Sequence, residues 1–329
     1  MDIACCYYPT TVAIVDDDKR MLEALALQLA NTAPCLTFHA PQQALLFFKQ
    51  NYHATPFTQR VLLQPEEDKA EHRLIDIDLR AIHKQAYNPN RFAEVSVLIV
   101  DYDMPEINGF ELCQRLKQHP FKKIMLTGEA TYDLAVNLFN AGIIDKFIVK
   151  NTPHLLATLL DAIHELQQQY FHDLSTLILA SLTHHPHHPA ACLDDPAFIT
   201  LFYHTKQQLN AVEYYLMDGF GSYLFLNAKA QARCLVIKNT EDMHAWYETA
   251  RYAQAPEAIT KPMQQREKIL YLHFDEDYQL NPRKWLPYLH SAHQLHGRED
   301  YFYALVPSPQ HPPSAPIIRS YQDYLDGLS

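Results

Sequence analysis

The stretch that decides the fold is Val95-Ser-Val-Leu-Ile-Val-Asp101-Tyr-Asp-Met-Pro-Glu-Ile-Asn-Gly109. Six residues, five of them apolar and four of them valine or isoleucine, read as a strand covered on both faces. The strand stops on a carboxylate, and Asn108-Gly109 opens a helix. Outward from it the rhythm repeats. Thr11–Val15 is a second apolar run that ends on Asp16, Asp17 and Asp18, followed by helical spacing over Met21–Ala30. Leu36–Phe38 is a strand and Pro41–Gln50 a helix, and Gly109–Gln118 a further helix. Lys123–Leu126 is a strand, Thr131–Ala141 a helix and Lys146–Val149 the fifth strand. Five strands alternating with helices predict a doubly wound parallel sheet. Asp16, Asp17 and Asp101 then lie just beyond the carboxyl ends of strands, the edge where open α/β sheets bind ligands.

Three converging carboxylates repel one another unless a cation neutralises them. A set of hard oxygens with room for water suits Mg²⁺. A divalent cation beside a free carboxylate is the arrangement phosphoryl transfer needs, with a lysine and a hydroxyl to hold the remaining phosphoryl oxygens. Lys150 and Thr127 close the last two strands of the sheet and are the candidates for those roles.

The motifs Ile14-Val-Asp-Asp-Asp18, Val100-Asp-Tyr-Asp-Met-Pro-Glu-Ile-Asn-Gly109, Met125-Leu-Thr-Gly128 and Phe147-Ile-Val-Lys150 together resemble the CheY-like, flavodoxin-type receiver domain of two-component response regulators. The resemblance runs from about Thr11 to Gln168. It implies Asp101 as phosphoacceptor, Asp16 and Asp17 as the Mg²⁺-holding pair, and a backbone carbonyl of Asp103 on the metal. It further implies Thr127 as switch hydroxyl, Lys150 as the phosphoryl partner, Phe147 as switch aromatic, and Asp103 and Glu129 as positions that tune dephosphorylation. A sensor histidine kinase or phosphotransfer protein is the implied partner, and a homodimer the implied assembly. Two departures stand out. Asn151 replaces a proline that follows a cis peptide in the family, leaving that geometry open, and Gly128 replaces the commoner alanine.

Around this domain, taken as 1–168, the chain is less orthodox. Residues 52–94 are far too long for an ordinary helix-to-strand connection and read as an insertion. Within it, Leu74–Tyr87 reads as a strand turning into a helix and Pro65–Ala70 as a solvated turn; the insertion as a whole reads as a mobile surface excursion or a partner-binding or dimer-forming element. From Thr152 to Leu182, Leu156, Leu159, Ile163, Leu166, Tyr170, Leu174 and Leu177 recur at helical spacing, predicting one long helix or two in tandem. The second part of that stripe needs a partner, either the next domain or a coiled-coil-like copy. Residues 169–189 form the linker, ending in His184-His-Pro-His-His-Pro189, more readily a polar linker than a metal site.

The remainder, 190–329, reads as an α+β output domain with antiparallel strands. Asp195–Leu209 is helical. Glu213–Met217 and Ser222–Leu226 flank the turn Asp218-Gly-Phe-Gly221, and Ala232–Ile237 completes a meander. The meander from Tyr214 to Ile237 resembles a PAS-like sensory domain. Thr240 is read as the cap of a helix to Ala253, and Ile269–Phe274 and Tyr301–Val306 as strands. His290, His293 and His296 would align loosely on a helix, and Asp275-Glu-Asp277 could ligate a metal, although plain surface residues explain both. Trp246, Trp285 and the tyrosines complete a core or line a pocket.

The sequence of 329 residues carries 48% hydrophobic and 20% charged residues, normal for a globular protein. No apolar run reaches membrane-spanning length and the first residues lack a signal-peptide pattern, so a cytoplasmic protein is expected. Six scattered cysteines without a C-x-x-C pair imply neither zinc nor disulfides. A formal net charge of −11 disfavours a DNA-binding output. A receiver-gated enzyme with a nucleotide-processing output is the other alternative, without a glycine-rich phosphate loop to support it. Only 7 glycines stand against 20 tyrosines and 19 histidines, a composition that resembles quorum-sensing regulators of Legionella type.

Overall fold

The computed structural model describes residues 3–30, 32–51, 62–63, 76–128, 139–183, 191–272, 280–307 and 317–328. It divides into two compact units. One comprises Tyr8–Arg60, Pro89–Leu174 and Gly327–Ser329; the other comprises Met1–Tyr7, Val61–Asn88 and Ser175–Asp326. Residues 1–7, read as the start of the first domain, therefore group with the C-terminal unit, and so does most of the 52–94 insertion.

The first unit is built on a parallel sheet. Strands β2 (Thr11–Val15), β3 (Cys35–Phe38), β6 (Val95–Asp101), β7 (Lys122–Thr127) and β8 (Lys146–Val149) are ordered β3-β2-β6-β7-β8. All neighbours run parallel, with Val15 opposite Val100 and Asp101 opposite Leu126. Alternate residues feed two cores. Ala13, Val15, Leu98 and Val100 pack with Phe48, Leu112 and Phe121 on one face; Val12, Ile14, Val97 and Ile99 pack with Leu25, Leu159 and Ile163 on the other. Burial on both faces is why these strands carry unbroken apolar runs. Helix α1 (Lys19–Leu29) begins where the Asp18 side chain accepts hydrogen bonds from the backbone of Arg20 and Met21. Helix α2 is Pro41–Asn51. The helix expected over Thr131–Ala141 lies mostly outside the described residues, as do Glu129, Pro65–Ala70, the 184–189 histidine stretch and Asp275–Asp277.

In the second unit β1 (Cys6–Tyr7) begins a six-stranded antiparallel sheet of order β1-β9-β10-β11-β15-β14. Its other strands are β9 (Ala211–Leu216), β10 (Tyr223–Asn227), β11 (Ala232–Asn239), β14 (His293–His296) and β15 (Asp300–Pro307). The expected meander is present, with Tyr223 opposite both Leu216 and Leu235. Its first turn needs Gly221, where φ is +97° and a Cβ would lie 2.4 Å from the Cys192 sulfur. Short strands β4 (Leu62–Leu63) and β5 (Asp76–Ile77) pair with each other, and helix α3 (Leu79–Lys84) follows β5.

Three local expectations are corrected. His290, His293 and His296 lie on the strands β13 (Leu289–Ser291) and β14, not on a helix, because β13 pairs with β12 (Lys268–Leu270) and β14 completes the larger sheet against β15. The helix Thr240–Tyr252 is capped by Asn239 rather than Thr240: Asn239 and Asp242 form a reciprocal capping box. Leu177, read as part of the apolar stripe, is exposed on the single helix Leu155–Thr183, one of the two expected alternatives, and the stripe runs from buried Leu174 to buried Ile178 instead. Trp285 is 5% exposed and packs with Ile259, Met263, Leu270 and Trp246 in a core. No helix among the described residues is long and apolar enough to cross a membrane.

Candidate functional site

The parallel pairing of β2, β6 and β7 brings three strand ends to one edge. Asp101 is the last residue of β6, and its side chain is 6% exposed. Asp16 follows β2 and is 1% exposed, whereas Asp17 beside it is exposed. Ligand oxygens of Asp16, Asp17 and Asp101 all lie within 4.8 Å of one another. Lys150 follows β8 and spans the pair, with Nζ 2.8 Å from Asp101 Oδ1 and 2.9 Å from Asp16 Oδ2. Asp16 also accepts a hydrogen bond from the Asp18 amide.

Charge balance explains the electrostatics. Burial pushes the Asp16 carboxyl above its ordinary pKa, against the opposing pull of Lys150 and the Asp18 amide. Burial alone would lower Lys150, but hydrogen bonds and charge from Asp101 and Asp16 outweigh it, and its pKa is raised. One ammonium thus faces two buried carboxylates and a third exposed one. The surplus negative charge and the all-oxygen donors fit a hard divalent cation such as Mg²⁺, which keeps several waters and takes few carboxylates.

The loop after β6 is fixed by close approach. The Gly109 amide donates to the Tyr102 carbonyl at 3.0 Å. A Cβ on Gly109 would sit 2.3 Å from the Asp101 carbonyl oxygen, so only glycine fits where the loop folds back over the strand end. Helix α4 (Gly109–Arg115) starts there, capped by the Asn108 side chain. Thr127 ends β7, 2% exposed, and its carbonyl accepts from the Lys150 amide at 2.7 Å. Phe147 is half-buried on β8, against the core of Val15, Val100 and Met125. Asp103 is exposed and its side chain is not part of the three-carboxylate group. No cis peptide occurs among the described residues, and Lys150 reaches both carboxylates with Asn151 following it.

A family model described as the response regulator receiver domain matches residues 70–164. The solved response regulator LqsR of Legionella pneumophila is similar over 99% of this chain and 96% of that one, at 32% identity and a TM-score of 0.77. The chain belongs to the two-component response regulators. An adenylate cyclase chain from Rhodopirellula baltica overlaps 53% of this response regulator and 99% of its own length at 22% identity and a TM-score of 0.37. A receiver domain protein from Clostridium thermocellum overlaps 49% and 95% at 16% identity and a TM-score of 0.34. No curated protein matches it. The family match starts inside the insertion and leaves out β2, so the acidic pair of this response regulator lies outside it and is located by the sheet geometry instead.

Proposed function

We propose that this response regulator accepts a phosphoryl group on Asp101 and uses Asp16 and Asp17 to hold the Mg²⁺ that the reaction requires. The observation that carries the reading is Lys150 spanning Asp16 and Asp101 within hydrogen-bond distance, with Asp17 close by. Asp16, Asp17, Asp101 and the backbone carbonyl of Asp103 would hold the metal, which when bound neutralises charge on the transferring phosphoryl group.

The chain's own groups do the rest. A carboxylate oxygen of Asp101 attacks phosphorus in line, forming an acyl phosphate as the bond from phosphorus to the donor breaks and the donor leaves with its electron pair. Lys150 then pairs with a phosphoryl oxygen instead of the bare carboxylate. The Thr127 hydroxyl moves to hydrogen-bond a second oxygen, and Phe147 follows it into the space beside β7. Asp103 and Glu129 take the role, implied by the resemblance, of setting how long the phosphate persists. The donor is a sensor histidine kinase or phosphotransfer protein. The outcome is a changed homodimer or a changed grip on the output domain, in a cytoplasmic signalling protein.

The test is to mix the full chain with Mg²⁺ and acetyl phosphate or beryllofluoride. Intact mass should rise by one phosphoryl group with acetyl phosphate, and mass in solution should change with either reagent. Asp101→Asn should abolish both responses; equal behaviour of the two proteins removes the basis of this reading.

A further inference from the structure

The opposite ends of β2 and β6 hold a second polar cluster, which phosphoryl transfer does not use. Glu94 accepts hydrogen bonds from two phenols, Tyr8 Oη on Oε2 and Tyr170 Oη on Oε1, each at 2.5 Å. Both tyrosines are buried, at 0% and 2% exposure, and Tyr8 packs edge-on against Phe171 at 4.7 Å. Around them Thr10 bonds Ser96 at 2.6 Å, Gln167 donates to Thr10 at 3.0 Å, and the Thr11 hydroxyl donates to the Phe92 carbonyl at 2.8 Å. The Thr11 amide also donates to the Glu94 carbonyl.

The members come from three places in the chain: the lead into β2, the lead into β6, and the 29-residue helix α5 (Leu155–Thr183). Each lies close to a point where the chain passes to the antiparallel unit, at 7/8, 88/89 and 174/175. Three of the chain's crossings thus emerge from one node. From this node β2 and β6, of five and seven residues, run to Asp16 and Asp101, about 17 and about 23 Å along stiff backbone. Residues 167, 170 and 171 share one face of α5, by their spacing of three and four.

We infer that Glu94 is a positioning residue that ties the state of Asp101 to the antiparallel unit, by locking β2, β6 and α5 together where the chain leaves the receiver. The inference rests on the reading of Asp101 as phosphoacceptor. Its physical basis is that hydrogen bonds to an ionised acceptor are short and strong, and that a carboxylate shared by two buried phenols lets neither move without the other. A displacement of either strand or of the helix is then passed to all three crossings together. Without the shared acceptor each crossing relaxes on its own.

Hydrogen exchange of the full chain, with and without Mg²⁺ and beryllofluoride, tests this. In the native protein the reagent should slow exchange at 101–109 and also change it at 3–7 and 175–183. In Glu94→Gln, and in the double variant Tyr8→Phe, Tyr170→Phe, the slowing at 101–109 should persist while the change at 3–7 and 175–183 is lost. That retained slowing shows that each variant is folded and binds the reagent, which a merely structural role for Glu94 would leave coupled. A native protein that changes at 101–109 only, or variants that keep the change at the crossings, overturn the inference. No slowing at 101–109 in the native protein instead defeats the phosphoacceptor reading, and this inference falls with it.

Discussion

The two units handle buried carboxylates in opposite ways. In the parallel unit, Asp16 and Asp101 crowd one strand edge with a single ammonium between them. In the antiparallel unit, Glu213 is 0% exposed and takes the Tyr215 hydroxyl at 2.6 Å, on β9 opposite Leu226 of β10. The first arrangement leaves charge in excess at an edge open to a cation; the second gives a lone carboxylate a neutral donor inside a core. The contrast extends to construction. The parallel sheet takes its strands in an order set by consecutive crossovers, whereas the antiparallel sheet borrows its edge from residues 6 and 7, paired with Tyr214 and Tyr215. Two like charges sharing one ammonium oppose each other at the strand edge, whereas a carboxylate supplied with a hydroxyl donor is accommodated inside the core.

The largest effect that would sharpen this contrast is in chemistry. Asp101→Asn should lose phosphorylation from acetyl phosphate entirely, read by intact mass, while Glu213→Gln should leave the rate of that reaction unchanged and lower the melting temperature. Next is removal of residues 1–7. It deletes β1 together with buried Ile3, Cys5 and Cys6, and should cost about 3–5 kcal/mol in denaturant unfolding of the antiparallel unit. Phosphorylation of Asp101 should survive it. If the truncated chain unfolds like the native one, the borrowed edge contributes nothing to that unit.

Gly109→Ala should cost about 1–3 kcal/mol through the clash with the Asp101 carbonyl, and slow phosphorylation because the displaced loop carries Asp103. Mg²⁺ at about a hundred times its Kd should add about 2.7 kcal/mol to the native protein, seen as a rise in melting temperature, and less to Asp16→Asn. The pH dependence follows from the same cluster. The raised pKa of Asp16 means the folded state holds its proton more tightly than the unfolded chain. Without Mg²⁺, stability therefore falls as pH rises from below the ordinary carboxylate value of 3.8 through the raised pKa, and Asp16→Asn should remove that loss. Lys150 acts at the other end of the scale: its contribution is complete below 10.5 and lost as pH rises through its raised pKa. Smallest, Asn239→Ala should cost about 1 kcal/mol by removing one half of the capping box, measured by thermal unfolding.

Much of the site was legible because its signals are local. Apolar runs ending on Asp16 and Asp101, and the Thr127 and Lys150 strand ends, place each group by counting within a strand. Asn108-Gly109 marks a helix start for a reason that the 2.3 Å approach to the Asp101 carbonyl makes concrete. The histidines near 290 were misplaced because a spacing of three says nothing when the segment is an edge strand whose conformation is set by pairing with β15. Asn239 was overlooked as a cap in favour of its neighbour Thr240, since both residue types cap helices and only the backbone decides which one stands outside the first turn.

The Glu94 cluster left no local trace. A glutamate before a strand, a tyrosine near the start of the chain and another deep in a long helix are ordinary residues in sequence, 76 and 86 positions apart.

The sequence alone determined the parallel sheet, the carboxylates at its edge and the chemistry they can support, because period, strand length and strand-end residues are properties of short segments. Only the tertiary structure decided that residues 6–7 close a sheet built some 200 positions later, and that the Tyr8 and Tyr170 hydroxyls both donate to the Glu94 carboxylate. Those pairings depend on which distant surfaces meet, and hydrogen bonds between remote segments are encoded by the whole packed arrangement rather than by any stretch of chain.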